Sequence, residues 1–216
     1  MGCKYKLVMF DMDGTLLKER TIFTLAEKKG FKQELLGILE NETYNYVKTR
    51  KIASFLKGML VSEFLDVIKS MPLSDHVVEV INELKNRGIK MSIVSNSYDL
   101  AVKDLQERLG IDFGFANHLI IRDDVITGEI EFHNKKPVPK KDCCRSYSVC
   151  KRDVLEYLCA KLSLSKNEVV TVGDGKIDVF MFQDAGLSAA YNAPRNVQKY
   201  ADVSISDMRE LLKYVI

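Results

Sequence analysis

Three short apolar runs constrain this chain most, because each stops at a polar residue. Leu7-Val8-Met9 leads into Phe10-Asp11-Met12-Asp13-Gly14-Thr15-Leu16, and Ile93-Val94 leads into Ser95. Val169 to Val172 leads into Gly173-Asp174-Gly175-Lys176-Ile177-Asp178. Runs this short, apolar without alternation and bounded by turn residues, read as strands buried on both faces. Between them the apolar spacing is helical. Val77, Val78, Ile81 and Leu84 share a face before Gly88; Leu100 to Leu109 ends at Gly110; Asp153 to Leu162 is a third helix. Buried strands alternating with helices predict an α/β fold, a Rossmann-like doubly wound parallel sheet. Sites in such sheets lie outside the carboxyl ends of the strands, so Asp11, Ser95 and Asp174 point at one crevice.

The rest of the chain fills this frame. Lys6 to Phe10 is the first strand and Met91 to Val94 the next. Leu119 to Ile121 and Ile126 to Phe132 read as a hairpin across Asp123-Asp124. Asn134 to Ser148, with Pro137 and Pro139, is irregular. Val179 to Gln183 is a short helix, Ser188 to Tyr191 and Val203 to Ile205 are short strands, and Asp207 to Tyr214 is a closing helix. Thr21 to Met71 has only helical spacing, in three stretches around Ile22 to Leu39, Ile52 to Leu60 and Phe64 to Ile68, and Pro72 ends it. The expected organisation is therefore a core of residues 1–16 and 72–216 with a small helical insert at 17–71, after the first strand.

Composition excludes several classes. The chain has 216 residues, enough for one sizeable core and one inserted subdomain. Its net charge of +2 comes from well-mixed signs, which argues against a nucleic-acid partner. No run reaches the roughly 18 apolar residues of a membrane span, and the N-terminus lacks the order of regions that marks a signal peptide. The expectation is a cytoplasmic protein whose five cysteines are thiols.

The acidic residues suit phosphoryl transfer. Asp11 and Asp13, two apart near a strand end, project to the same side. A carboxylate can attack phosphorus and form an aspartyl-phosphate, while a second, protonated carboxyl serves the leaving oxygen and later the water. Asp174 adds a third oxygen donor, and such a set suits Mg²⁺. Ser95 offers a hydroxyl and an N–H to phosphate, and Lys151 a charge for the transferring group. Each feature alone has a plainer reading. Asp-x-Asp-Gly makes turns, Ser95 an N-cap and Lys151 a solvated charge. Their order along the chain, each at a strand end or helix start, joins them.

That order resembles the haloacid dehalogenase superfamily of phosphatases across essentially the whole chain. Asp11-Met12-Asp13-Gly14-Thr15 is similar to its first motif, Ser95 to its second and Lys151 to its third. Gly173 to Asp178, with Met181 and Ala185-Gly186, is similar to its fourth. The resemblance implies Asp11 as nucleophile, Asp13 as acid/base, and magnesium held by Asp11, the Asp13 carbonyl and Asp174. Thr15, Asn96 and Asp178 would support them, and the insert would be a cap closing over a small phosphorylated metabolite. Asn86-Arg87-Gly88, Ile93-Val94-Ser95 and Phe115-Ala116-Asn117 resemble the phosphoserine-specific branch. The chain departs from that branch at Ile177, where Asn is usual, and at Ser95-Asn96-Ser97, where Ser-Gly-Gly is usual. It departs again in the cap, where Glu19 lies one position off an expected Glu and Arg20 takes its place. Arg50 lies near, but not at, the place of a carboxylate-binding Arg.

Substrate choice is thus expected in the insert, with Glu19, Arg20, Arg50, Lys48, Tyr44 and Tyr46 as its candidates. Cys143, Cys144 and Cys150, just before Lys151, are similar to phosphocholine/phosphoethanolamine-type and methylthio-ketopentenyl-phosphate-type members. They read either as loop packing, the favoured reading, or as a zinc clip with His133. His76 and His118 read as surface or packing residues. The leading function is a magnesium-dependent phosphatase. A phosphotransferase or phosphomutase and a non-catalytic phospho-ligand module stand as alternatives. Dehalogenase chemistry has no use for Asp13, and a P-type ATPase needs membrane spans.

Overall fold

Leu7–Phe10 (β1) is buried at every position because it runs through the middle of the sheet with helices on both sides. The structure is a computed structural model that describes residues 4–140 and 143–216. The further strands are Lys90–Tyr98 (β2), Phe113–Arg122 (β3), Val125–Glu131 (β4), Val169–Gly173 (β5), Leu187–Tyr191 (β6) and Val203–Ile205 (β7). Among the described residues they form one sheet in the order β4-β3-β2-β1-β5-β6-β7. Every pairing is parallel except β3 with β4.

Alternating side chains of β1 feed two apolar clusters. Val8 and Phe10 join Met91, Ile93 and the helices Val77–Asn86 and Asp99–Leu109 on one face. Leu7 and Met9 join Val94, Val154, Leu158 and Met181 on the other, packed by the helices Lys151–Leu162 and Val179–Phe182. This is the doubly wound α/β arrangement that the apolar runs imply.

The helices in chain order are α1 (Thr21–Lys29), α2 (Lys32–Asn41), α3 (Asn45–Ser54), α4 (Val61–Ser70), α5 (Val77–Asn86), α6 (Asp99–Leu109), α7 (Lys151–Leu162), α8 (Val179–Phe182), α9 (Arg195–Gln198) and α10 (Leu212–Val215). Four of them, α1 to α4, stand between β1 and α5, where three helical stretches were expected. The middle stretch differs most. α3 starts at Asn45 and ends at Ser54, and the chain then turns through Gly58 to pair Leu60 with Val125. The turn meets the hairpin tip, where Val61 N–H donates to Asp124 O at 2.9 Å and Ile126 N–H to Met59 O at 2.8 Å. The chain leaves and re-enters the core side by side, with Leu17 bridged to Leu73 and Lys18 N–H donating to Pro72 O at 3.0 Å. Leu25, Leu35, Ile52 and Phe64 of these helices belong to the same apolar cluster as Val8 and Phe10.

Three other expectations shift. β2 runs on to Tyr98, with its pairing irregular after Val94, so Ser95 lies within the strand's distorted end. β3 starts six residues early: Phe113 to Phe115 pair with β2, and from His118 the same strand turns to pair with β4. The closing helix is a 3₁₀ turn, Met208–Leu211, followed by the short α10. The hairpin itself is as expected: Asp123 and Asp124 both have positive φ, as a two-residue type I′ loop requires. The irregular segment before α7 holds a single 3₁₀ turn, Cys144–Ser146, among the described residues, with Lys141 and Asp142 outside them.

Candidate active site

The carboxyl ends of β1, β2 and β5 open onto a cleft of about 390 Å³. Asp11 continues β1, its N–H donating to Val172 O of β5 at 2.9 Å. The chain then turns sharply: Leu16 and Leu17 N–H both donate to Met12 O, at 3.0 and 2.9 Å. Gly14 takes φ +87°, and an added Cβ there would stand 2.6 Å from Asp174 Oδ2. A glycine at this position lets the β1 and β5 loops close on each other.

Lys151, fully buried at the start of α7, forms ion pairs with Asp11 and with Asp178, the latter at 2.6 Å. Burial alone would lower the ammonium pKa, but Asp11 and Asp178 reverse this and raise it. Asp178 is also fully buried. Its second oxygen accepts from Gly175 N–H at 2.9 Å, which fixes the loop after β5. Gly173 leaves room for it, since a Cβ there would lie 2.5 Å from Asp178 Oδ2.

Carboxylate oxygens of Asp11, Asp174 and Asp178 lie within 4.8 Å of one another. Burial pushes the Asp11 carboxyl well above its usual range, with Asp178, Asp174 and Asp13 adding to the effect and Lys151 opposing it. Burial, then Asp178, raises Asp174 to about 6. Gathered, oxygen-only, mutually repelling donors fit a hard divalent cation, which would offset that repulsion.

Asp13 points elsewhere. Its Oδ1 accepts from Thr21 N–H at 2.8 Å and from the Thr21 hydroxyl, at the start of α1. Burial raises its pKa and the two Thr21 bonds hold the rise back. Asp178, expected to support the site, joins the side-chain cluster itself. The expected part of Asp13 in cation binding was its backbone carbonyl.

A family model described as haloacid dehalogenase-like hydrolase matches residues 5–186. The chain belongs to the haloacid dehalogenase-like hydrolases. This hydrolase is 34% identical to the phosphoserine phosphatase of Methanocaldococcus jannaschii over the whole of both chains. It is 32% identical to that of Campylobacter jejuni subsp. doylei, covering 97% of this chain and 99% of the relative. Its backbone resembles a solved phospho-aspartyl intermediate analogue of phosphoserine phosphatase, with a TM-score of 0.83 and 33% identity over 98% of this chain and 99% of the other. A substrate-bound phosphoserine phosphatase complex matches with the same TM-score, identity and coverage.

Around the acidic cluster the hydrolase brings together Ser95, Asn96, Ser97, Tyr98 and, from the insert, Arg20, Lys48 and Thr49. Ser95 Oγ accepts from Ser97 N–H at 3.1 Å. Thr15 and Ser97 hold buried hydroxyls without a hydrogen-bond partner. Four substrate candidates fall outside the cleft lining. Glu19 is exposed and accepts from Thr24 Oγ1 at 3.4 Å; Arg50 lies over the Phe132 ring, 5.1 Å from its centroid. Tyr44 stacks on Tyr46, which meets Phe132 edge-on, so this pair packs against β4's end rather than lining the cleft.

Sequence reasoning missed the polar network behind Ser95. The Nδ2 of Asn117, fully buried on β3, lies within hydrogen-bond reach of Asn96 O (2.8 Å), Ser97 O (3.1 Å) and Ser148 Oγ (2.9 Å), which share its two hydrogens. Asn96 Oδ1 accepts from Ser148 Oγ and Val149 N–H, both at 2.9 Å. The network ties the end of β2 to the segment that delivers Lys151. It has no spacing signature; Asn117 stood out only through the resemblance.

The zinc clip does not assemble among the described residues. The Cys150 and Cys144 thiols face each other, yet neither these thiols nor Cys143 and His133 form a group of three metal donors. His133 packs edge-on against Phe115. His118 pairs with Asp99 at 2.5 Å, and His76 faces Glu79 and Asp207, as surface residues do. No helix among the described residues is long and apolar enough to cross a membrane.

Proposed function

We propose that this hydrolase cleaves a small phosphomonoester through an aspartyl-phosphate on Asp11, with Asp13 as acid/base. The observation that carries this reading is the convergence of Asp11, Lys151, Asp174 and Asp178 beside a cleft that Asp11, Asp13 and Asp174 line. In the first step an Asp11 oxygen bonds to phosphorus and the ester P–O bond breaks. Asp13, whose pKa burial raises, gives its proton to the departing alkoxide. In the second step Asp13 takes a proton from water, the water oxygen bonds to phosphorus, and the Asp11–phosphorus bond breaks to release phosphate. Lys151 fixes Asp11 and offsets charge on the transferring group, while Asp178 positions Lys151. Ser95, Asn96 and Ser97 supply donors for the phosphoryl oxygens, with Thr15 supporting the turn that carries Asp13.

Magnesium, held by Asp11, the Asp13 carbonyl and Asp174, would screen the carboxylate from the phosphate dianion. The insert, residues 17–71, acts as a cap in this reading. Ile22, Leu39 and Ile52 line the cleft from its side and would exclude water from the reaction. The relatives' names make phosphoserine the first substrate to assay.

The test is hydrolysis of p-nitrophenyl phosphate and of phosphoserine in excess magnesium, with Asp11→Asn beside the native protein. Loss of turnover in Asp11→Asn, and a phosphoryl adduct on Asp11 in rapidly quenched native protein, are expected. Turnover that survives Asp11→Asn would overturn the reading.

A further inference from the structure

The acids lining the cleft are Asp11, Asp13 and Asp174, and all belong to the reaction centre. Its remaining charge is positive: Arg20, Lys48 and Lys176. Lys48 is partly occupied, donating to Leu39 O at 2.6 Å. Arg20 is not. Its guanidinium stands 3.8 Å from Asp174 Oδ2, too far for a hydrogen bond, and makes no side-chain hydrogen bond among the described residues. It is more than half exposed, opening onto the cleft at the N-terminus of α1. Glu19, the acid beside it in sequence, is turned out of the cleft.

A substrate held here by its phosphate would share the cleft with Arg20 and the apolar side chains Ile22 and Leu39. A planar carboxylate matches the guanidinium fork. An ammonium group would find no counter-ion in the cleft beyond those three acids, and a cation facing it. We infer that the preferred substrate is a phosphorylated hydroxy acid without an amino group, its carboxylate held by Arg20. This rests on the phosphatase reading and narrows it, placing the amino acid ester second to its deaminated analogue.

The experiment compares kcat/KM, in excess magnesium, for 3-phosphooxypropanoate, phosphoserine, phosphoethanolamine and p-nitrophenyl phosphate. The first two differ only by an ammonium group. The expected order is 3-phosphooxypropanoate over phosphoserine over phosphoethanolamine, with about tenfold or more between the first two. Arg20→Gln is expected to cut kcat/KM for 3-phosphooxypropanoate by roughly ten- to a hundredfold, the range of a charge-assisted hydrogen bond, chiefly through KM. Its effect on p-nitrophenyl phosphate, which has no carboxylate, is expected to be several times smaller. Arg20→Glu is expected to move the preference toward phosphoserine.

Phosphoserine matching or exceeding its deaminated analogue overturns the inference, and so does an equal loss on every substrate in Arg20→Gln. Absence of turnover on all four substrates would strike the phosphatase reading instead. Calorimetric titration of Asp11→Asn then decides the inference separately: tighter binding of 3-phosphooxypropanoate than of phosphoserine sustains it, and equal or weaker binding overturns it.

Discussion

Replacing Lys151 by Met is the sharpest perturbation of this site. The side chain is fully buried and its ammonium serves two buried carboxylates, Asp11 and Asp178. At an effective dielectric constant of ~20, charges 2.6 Å apart attract by about 6 kcal/mol, before the cost of taking them out of water. Met keeps most of the volume, so the cavity contribution is small. What remains is two buried acids without their cation, and breaking such a pair costs roughly 3–5 kcal/mol. Against a total stability of about 5–15 kcal/mol, a loss of that size is a large fraction and shows clearly in an unfolding curve.

The loss has a pH signature in magnesium-free protein. Burial already holds the folded Asp11 pKa above its unfolded value, and Lys151 is what opposes the rise. The folded state therefore binds more protons than the unfolded state across that window, and stability falls as pH rises through it. Removing Lys151 extends the window upward. Urea unfolding with chelator present is expected to show the largest loss near pH 8 and a smaller one near pH 5. A loss below about 1 kcal/mol at pH 8, or one that grows toward pH 5, would refute the account of Lys151 as the charge that holds these acids together.

Other parts of the site have their own expected outcomes. Asn117→Ala strands carbonyls of Asn96 and Ser97; with both N–H donors of the amide lost from a buried site, urea unfolding should show a loss of about 2–4 kcal/mol, and kcat should fall at least tenfold. Gly14→Ala places a Cβ against Asp174 at positive φ; about 1–3 kcal/mol of strain should appear in thermal unfolding, and calorimetry should show weaker magnesium binding. Thr21→Val removes the hydroxyl bond that restrains the burial-raised Asp13 pKa, so the basic limb of the kcat profile should move to higher pH. Each result is read against the native protein in the same buffer.

Much of the frame was legible because parallel strands buried on both faces carry unbroken apolar runs. β1 and β5 show this, and with them came Asp11 and Asp174 at their ends. The first half of β3 was not legible. Phe113-Gly114-Phe115-Ala116-Asn117 is mostly half-buried, with Gly114 and Asn117 interrupting any pattern. The end of β2 was misread for a related reason: Ser95, Asn96 and Ser97 belong to a strand by backbone but have side chains suited to a loop. The insert's helices were legible as helical and not as four, because the break after Ser54 is made by a distant partner, the hairpin tip at Val125.

The site divides along the same line. Residues that act from strand ends are marked by the strands before them. Residues that act by holding others are not, because their partners lie far away in sequence. Thr21 bonds Asp13 across the entrance to the insert, and Asn117 reaches Ser148, 31 positions on. Ser148 Oγ in turn lies 3.4 Å from Thr49 Oγ1 on α3, so the network behind the cleft touches the insert as well as the end of β2 and the segment before α7. The same α3 lends Lys48 and Ile52 to the cleft wall. A movement of the insert that opened the cleft would meet, at this contact, the polar network that holds Asn96 and the approach to Lys151. Thr49 and Ser148 are thus the point where the insert meets the network behind the phosphoryl site. Thr49→Ala, which cuts that link without touching an acidic residue, should loosen the coupling: KM and kcat should change together, whereas a purely local role for Thr49 would move KM alone.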